Sequence, residues 1–369
     1  MKYYIIAGEA SGDLHASNLM RELKQKDAQM QVRAWGGDLM KAQGATLVKH
    51  IKDLAFMGFL EVIMNLRTIL GNIKLCKKDL LAYKPDVLIL VDYPGFNMRM
   101  AKFAKQHGIA VHYYVSPQVW AWKKNRVYDI KKYVDELYSI LPFEQDFYAQ
   151  YDYKINYVGH PLLDAVANYR KEHQSEGPLW KHEGRPLIAL LPGSRVQELN
   201  KMLAKMLEVE KQFPHCDFVI AGVESLGEDF YHSFLKDSNI QLVFNQTYQL
   251  FEEADAALVS SGTATLETAL FNVPQVVCYQ TSWLSFKIAK LLVDIKYISL
   301  VNLISDEEIV KELIQEDLSV ENMVAELHRV LSEEGATKMK DSYKELRKLL
   351  GGIGASERVA EQIHQSLIK

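Results

Sequence analysis

One unit recurs along this chain and narrows what it can fold into: a short apolar run of strand length stops at a small-residue turn and gives way at once to a helical pattern. The sharpest case is Leu187-Ile-Ala-Leu-Leu-Pro-Gly-Ser-Arg195-Val-Gln-Glu-Leu, where the run breaks at Pro192-Gly193 and the helix starts after Ser194. Repeats of strand, turn and helix build an open parallel α/β sheet, whose ligands gather at the carboxyl ends of its strands. At this turn Gly193 lets backbone approach a ligand, Ser194 with Gln197 fits a capping box, and the new helix aims unpaired N–H groups outward. Arg195 adds a planar fork of donors matched to phosphate oxygens. An anion site and a plain strand-to-helix turn with a solvated arginine both fit the stretch, which by itself leaves the two open.

A chain of 369 residues exceeds one average core, so two domains are expected. The composition, 48% hydrophobic and 24% charged, is that of a soluble globular protein. A net charge of -4 argues against a general nucleic-acid binder. Cys76, Cys216 and Cys278 are scattered, which fits a reducing compartment and excludes an obvious disulfide or zinc framework. The histidines show no H-E-x-x-H pattern, so no protein-held metal is expected. No cofactor is expected either. The apolar start is too short for a signal peptide and reads as a first strand. No run approaches the roughly 18 uninterrupted apolar residues that span a bilayer, so any membrane contact is expected to be peripheral.

In chain order, a strand over 3–7 meets Gly-Glu-Ala-Ser-Gly-Asp13 and a helix. Gly8 and Gly12 suit a tight turn, with Glu9, Ser11 and Asp13 at its mouth; capping the helix is the ordinary role for Ser11 or Asp13. The full G-x-G-x-x-G spacing is missing, which weakens a dinucleotide reading. Residues 54–64, with Phe56, Met57 and Phe59, are apolar apart from Gly58 and Glu61, as in a buried helix or an adaptable lipid-facing surface. The strand over 85–92 is apolar throughout, as in a parallel sheet buried on both faces, and ends at Asp92. A carboxylate there is either a base with a raised pKa or the cap of the helix that starts near Pro94. A strand over 110–115 leads to Ser-Pro-Gln-Val-Trp-Ala-Trp122 and the cations Lys123, Lys124 and Arg126, a membrane-interface pattern or the edge of a core. His160, in Gly-His-Pro161, reads as a loop hydrogen-bonder.

The alternation pauses over the polar residues 168–186, read as a linker between a first domain, 1–167, and a second, 187–345; residues 346–369 hold a terminal helix, for which packing back on the first domain is open. In the second half, the strand over 256–259 empties into Ser260-Ser-Gly-Thr-Ala-Thr-Leu-Glu-Thr-Ala269, where Ser261, Gly262 and Thr263 can offer hydroxyls and N–H groups to a diphosphate. Glu267, a turn into that helix, can accept from ribose hydroxyls or merely favour the dipole. Residues 283–293 read as an amphipathic helix with Lys287 and Lys290 on one side, a helix that packs on its own domain or whose basic-apolar mixture suits a membrane surface, and a further helix is read around Glu312 and Gln315.

Taken together, Ala7-Gly-Glu-Ala-Ser-Gly-Asp13, Met57-Gly58 with Glu61-Val62, Tyr114-Val-Ser-Pro-Gln-Val-Trp-Ala-Trp122, Leu141-Pro-Phe-Glu144, Gly159-His160, Leu191-Pro-Gly-Ser-Arg195 and Ser261-Gly-Thr-Ala-Thr-Leu-Glu267 closely resemble the lipid-A-disaccharide synthase family. The motifs span nearly the whole chain in family order. The resemblance implies a GT-B architecture, two Rossmann-like domains facing a central cleft. It also implies a metal-independent, inverting transferase that joins UDP-2,3-diacylglucosamine to 2,3-diacylglucosamine 1-phosphate with loss of UDP. Such an enzyme works on the cytoplasmic face of the inner membrane of a lipopolysaccharide-making bacterium; a homodimer is compatible, and the residues leave oligomeric state open.

By the same resemblance, Asp92 is the base for the acceptor hydroxyl, and Arg195, with Gly193, Ser194 and the turn from Ser261 to Thr263, clamps the diphosphate. Glu267 takes the ribose, Asn302, Glu312 and Gln315 line the donor side, and Glu9, Ser11 and Met57 line the acceptor side. Phe56 and Phe59 then meet acyl chains, and Lys123, Lys124 and Arg126 meet anionic headgroups. Two positions depart from the family pattern: Gly95 stands where a second acid is common, and Val301 where a proline precedes the asparagine. Two rivals share parts of the pattern, a UDP-N-acetylglucosamine 2-epimerase-like enzyme and a non-catalytic peripheral membrane protein that binds UDP-lipids.

Overall fold

The computed structural model describes residues 1–54, 66–122, 124–174, 177–180, 184–194, 196–235, 240–293 and 295–368. The chain divides into two compact units, Met1–Asp164 with Gly351–Lys369, and Ala165–Leu350.

In the first unit seven parallel strands lie in the order β3-β2-β1-β4-β5-β6-β7. They are β1 Lys2–Ala7, β2 Gln31–Gly36, β3 Thr46–His50, β4 Val87–Val91, β5 Ala110–Tyr114, β6 Glu136–Ser139 and β7 Asn156–Tyr157. β4, Val-Leu-Ile-Leu-Val, is buried along its whole length, as its unbroken apolar run requires of a strand with helices on both faces. Leu88 and Leu90 pack with Tyr4, Phe96, Met100 and Val111 in one continuous core. Each such aliphatic side chain, fully buried, stabilises the unit by about 1.5–3 kcal/mol.

The second unit holds six parallel strands in the order β10-β9-β8-β11-β12-β13. These are β8 Leu187–Leu191, β9 Asp217–Gly222, β10 Gln241–Phe244, β11 Ala256–Ser260, β12 Gln275–Tyr279 and β13 Lys311–Ile314. In both sheets the first strand lies inside, and the order reverses beside it: between β1 and β4 in one, between β8 and β11 in the other. The registers pair Ala7 with Val91 and Leu191 with Val259, so the turns that follow these strands emerge side by side. Such reversals are where open α/β sheets bind ligands.

The terminal helix Ala355–Ile368 belongs to the first unit and packs on the helix Ala10–Lys26, burying Val359, Ala360 and Ile363 and pairing Glu361 with Lys26. Asp164 fixes its start by accepting from the N–H groups of Gly354 and Ser356. The division between the units falls inside the helix Pro161–Glu172, and the described part of the polar stretch after it is packed in the second unit. There Trp180 is buried, and Glu253 accepts from the backbone of Leu179 and Trp180 at 2.7 and 3.1 Å.

One element differs in kind from the sequence reading. Glu312 lies in β13 rather than in a helix, and Gln315 opens a single 3-10 turn, Gln315–Asp317. A four-residue edge strand, Lys-Glu-Leu-Ile, carries too little alternation to be read alone; its identity comes from pairing with β12.

Candidate active site

In the first unit the turn after β4 is built on tight backbone. Asp92 and Tyr93 both sit in the left-handed region, with φ of +46° and +49°. Two successive non-glycine residues there cost on the order of 1–2 kcal/mol each and persist only where neighbours over-determine them. The neighbours are present. Asp92 N–H donates to the Tyr114 carbonyl at 3.2 Å, and the Asp92 carbonyl accepts from Tyr113 Oη at 2.5 Å and Asn97 Nδ2 at 2.7 Å. Across the strand-order reversal, Gly8 makes room for the Tyr93 ring, which a Cβ at that position would approach to 2.3 Å.

With its backbone clamped, Asp92 presents a half-buried carboxylate whose pKa is raised from 3.8 to about 6. Burial is the larger cause, the Glu9 carboxylate on the neighbouring turn adds to it, and a hydrogen bond from Tyr93 N–H opposes it. Glu9 is half-exposed at the N-cap of Ala10–Lys26, and Ser11 is exposed in the first turn. Asp13 caps a helix other than the one it lies in. Its carboxylate accepts from Gly37, Leu39 and Met40 N–H at 2.7, 3.1 and 3.2 Å, holding the start of Asp38–Ala42. Phe56, Met57, Phe59 and Lys123 lie outside the described residues. Lys124 is exposed, and the Arg126 guanidinium stacks 5.4 Å from the ring of Trp122, itself 46% exposed.

The second unit repeats the design with small residues. Gly193 has φ of +101°, and a Cβ there would stand 3.0 Å from Ser260 Oγ, so the turn after β8 lies close against the end of β11. Ser194 is exposed just before the helix Val196–Glu210; Arg195 lies outside the described residues. Ser261 N–H donates to the Cys278 carbonyl at 3.2 Å and its hydroxyl to the Ile298 carbonyl at 3.0 Å, leaving only acceptor capacity at that hydroxyl. Gly262 and Thr263 are exposed at the start of Thr263–Leu270. Glu267 accepts from Tyr248 Oη at 2.7 Å, and burial raises its pKa.

Asn302 and Glu312 are joined in one internal network. Asn302 is fully buried; its Nδ2 donates to the Val310 carbonyl at 2.8 Å and to Glu312 at 2.9 Å, and its Oδ1 accepts from Ile309 and Val310 N–H. Glu312 also accepts from Ile298 and Ser299 N–H, both at 2.9 Å. Gln315 accepts from Thr281 N–H at 3.3 Å, while its buried Nε2 has no hydrogen-bond partner. The network therefore shapes the loop that receives the Ser261 hydroxyl.

Three supporting groups carried no role in the sequence. Tyr113 and Asn97 act on Asp92 through strand pairing and helix docking, which no spacing reveals. Glu144, buried at 1% exposure, accepts from Trp120 Nε1 at 3.2 Å, and burial lifts its pKa to about 8. It ties the first of the two tryptophans to the core and leaves the second at the surface. His160 is buried and accepts from Leu162 N–H at 3.3 Å, the loop role expected of it, with burial holding its pKa down to about 3. Among the described residues no three His, Cys, Asp or Glu side chains group so as to hold a metal ion.

Two parallel Rossmann-like sheets, each with polar turns at its strand-order reversal, define the α/β fold that GT-B glycosyltransferases share with UDP-sugar epimerases. Residues 3–366 match the family described as lipid-A-disaccharide synthetase, and the chain belongs to that family, whose work is lipid A biosynthesis. It is 36% identical over 363 residues to the lipid-A-disaccharide synthase of Trichlorobacter lovleyi, covering 96% of this chain and 95% of that one. Against the same enzyme of Syntrophus aciditrophicus it is 37% identical over 364 residues, with 96% and 95% covered. Solved structures share the fold at low identity. They include UDP-GlcNAc 2-epimerase from Neisseria meningitidis bound to UDP-GlcNAc, at 14% identity and a TM-score of 0.67 over 99% of this chain and 100% of that one. The glycotransferase of kitacinnamycin reaches a TM-score of 0.69 at 15% identity, with 99% of each chain covered. The epimerase rival thus shares the fold, and the family match separates this chain from it.

Proposed function

We propose that this glycosyltransferase moves a diacylated glucosamine from UDP to the primary hydroxyl of 2,3-diacylglucosamine 1-phosphate, with Asp92 as the base. The observation that carries the reading is Asp92 itself: a carboxylate fixed at the sheet reversal by strained, clamped backbone and titrating at about 6. At pH 7 roughly nine-tenths of such a group is ionised and ready to accept a proton. The acceptor oxygen gives its proton to Asp92 as it bonds to the anomeric carbon, and the bond from that carbon to the UDP oxygen breaks, its electron pair leaving with UDP. Attack from the face opposite UDP inverts the centre.

The leaving diphosphate gains charge that fixed donors must offset. The backbone N–H groups of the exposed residues Gly262 and Thr263 and the Gly193-Ser194 turn would meet it, with Arg195 supplying the cation. Glu267 would accept from the ribose with its remaining lone pairs. Asn302 and Glu312 act from behind, by holding the segment over 298–312, and Gln315 offers its Nε2 to the donor. On the acceptor side the reading assigns Glu9, Ser11 and Met57 to the acceptor sugar, and Phe56, Phe59, Lys123, Lys124 and Arg126 to the membrane surface. No helix among the described residues is long and apolar enough to cross a membrane. The reading itself, through its lipid substrates and these basic and apolar contacts, puts the enzyme at the cytoplasmic face of the inner membrane as a peripheral protein. Incubation with both acylated sugars and mass analysis tests the reaction. The reading expects one disaccharide 1-phosphate per UDP and no UDP without acceptor; interconversion of a soluble UDP-sugar without acceptor would overturn it.

A further inference from the structure

The helix Trp283–Leu292 turns an unexpected face to solvent. Trp283, Lys287 and Leu291 follow one another at four-residue spacing, the repeat that places side chains on one stripe, and all three are exposed. Trp283 is 64% exposed and Leu291 85%, and Ile295 lies exposed just beyond the helix end. Lys287 Nζ stands 4.2 Å from the centroid of the Trp283 ring, and Lys290 is exposed one position before Leu291. From Gln280 to Val293 these two lysines are the only charged residues. A helix docked on its own domain puts polar groups outward; this one puts an indole and a leucine there and allows only positive charge beside them.

That combination is the chemistry of a helix lying in a membrane interface. An indole sits at headgroup depth, leucine enters the acyl boundary, and lysines extend along apolar surface to reach anionic headgroups. We propose that Trp283–Leu292 is a contact of the second unit with an anionic lipid surface, additional to the basic segment around Lys124 and Arg126 in the first. The inference rests on the lipid-handling reading above. Charge complementarity selects the occupant: with cations and no acid on the stripe, the surface it fits carries negative headgroups.

The test is co-sedimentation of the intact chain with vesicles of phosphatidylcholine alone and of phosphatidylcholine mixed with phosphatidylglycerol. Trp283→Ser with Leu291→Ser should lower partitioning onto the mixed vesicles about tenfold or more. Lys287→Gln with Lys290→Gln should lower it several-fold and flatten its dependence on salt. All four positions are exposed, so thermal unfolding should stay close to that of the unaltered chain. Unaltered chain that binds the mixed vesicles, together with variants that bind equally well, overturns this inference and leaves the proposed reaction standing. Unaltered chain that ignores the mixed vesicles overturns this inference together with the membrane-side reading. If the apolar variant instead dissolves an oligomer in lipid-free buffer without changing vesicle binding, the stripe joins copies of the chain and the lipid inference is wrong.

Discussion

The Tyr113 hydroxyl donates to the main-chain carbonyl of Asp92 at 2.5 Å, so a residue of β5 fixes the backbone from which the candidate base, just after β4, projects. Tyr113→Phe removes that donor while keeping the ring in the core. A single buried hydrogen bond is worth about 1 kcal/mol, and the strained turn should relax when it is lost. Turnover is expected to fall about tenfold or more with little change in UDP affinity, read by steady-state kinetics and UDP titration. Unchanged kcat would remove Tyr113 from the positioning of Asp92.

The raised pKa of Asp92 makes two statements about pH. Glu9 is its second cause, so Glu9→Gln should move the acid limb of kcat/KM to lower pH, by less than the whole shift because burial remains. For stability, the folded pKa of about 6 lies above the unfolded value near 3.8, so the native state holds the proton more tightly. The favourable contribution is complete below the unfolded pKa and is lost as pH rises through about 6. Asp92→Asn should therefore be no more stable than the natural chain near pH 4 and more stable near pH 8, by on the order of 2–3 kcal/mol. Denaturant midpoints at the two pH values check the sign, and a gain independent of pH would contradict it.

Gly193 lies close against Ser260 at the end of β11, and its φ of +101° is open to glycine. Gly193→Ala brings a Cβ within 3.0 Å of Ser260 Oγ and strains the backbone besides. UDP affinity is expected to drop at least tenfold by isothermal titration. Adding Ser260→Ala should recover part of the loss, the steric part, and full recovery would show that the backbone conformation there is dispensable.

Asn302 distinguishes scaffold from ligand contact. Asn302→Ala leaves the Ile309 and Val310 N–H groups, the Val310 carbonyl and part of Glu312 without partners in a buried loop. The loss should be about 2–4 kcal/mol and lower the melting temperature by several degrees, with UDP binding weakened as a consequence. An unchanged melting temperature with lost UDP binding would instead make Asn302 a direct contact.

Much of the fold is legible in the residues, in proportion to how local the cause is. The strand over 85–92 announces itself because a parallel strand buried on both faces needs an unbroken apolar run, and Asp92 is legible as its end. β3, β6 and β13 escape because four or five mixed residues become strands only by pairing with a neighbour. The motif around Asp13 marks a turn correctly, yet the helix it caps begins at Asp38, a contact made by the fold. The same holds for the Asn302 and Glu312 network, where the family resemblance implies a ligand contact and the geometry shows the two residues satisfying each other. Val301, which stands where the family has proline, is fully buried in the helix Leu300–Ser305, and the Asn302 hydrogen bonds form without the proline.

The most direct measurement of the central claim is turnover of Asp92→Asn with both acylated sugars, alongside its affinity for UDP. Asparagine keeps the shape of the side chain and cannot take the proton. The claim that Asp92 is the base predicts turnover lowered by about 10²–10⁴-fold with UDP binding close to that of the natural chain. Near-normal turnover in a variant that still binds UDP would contradict it.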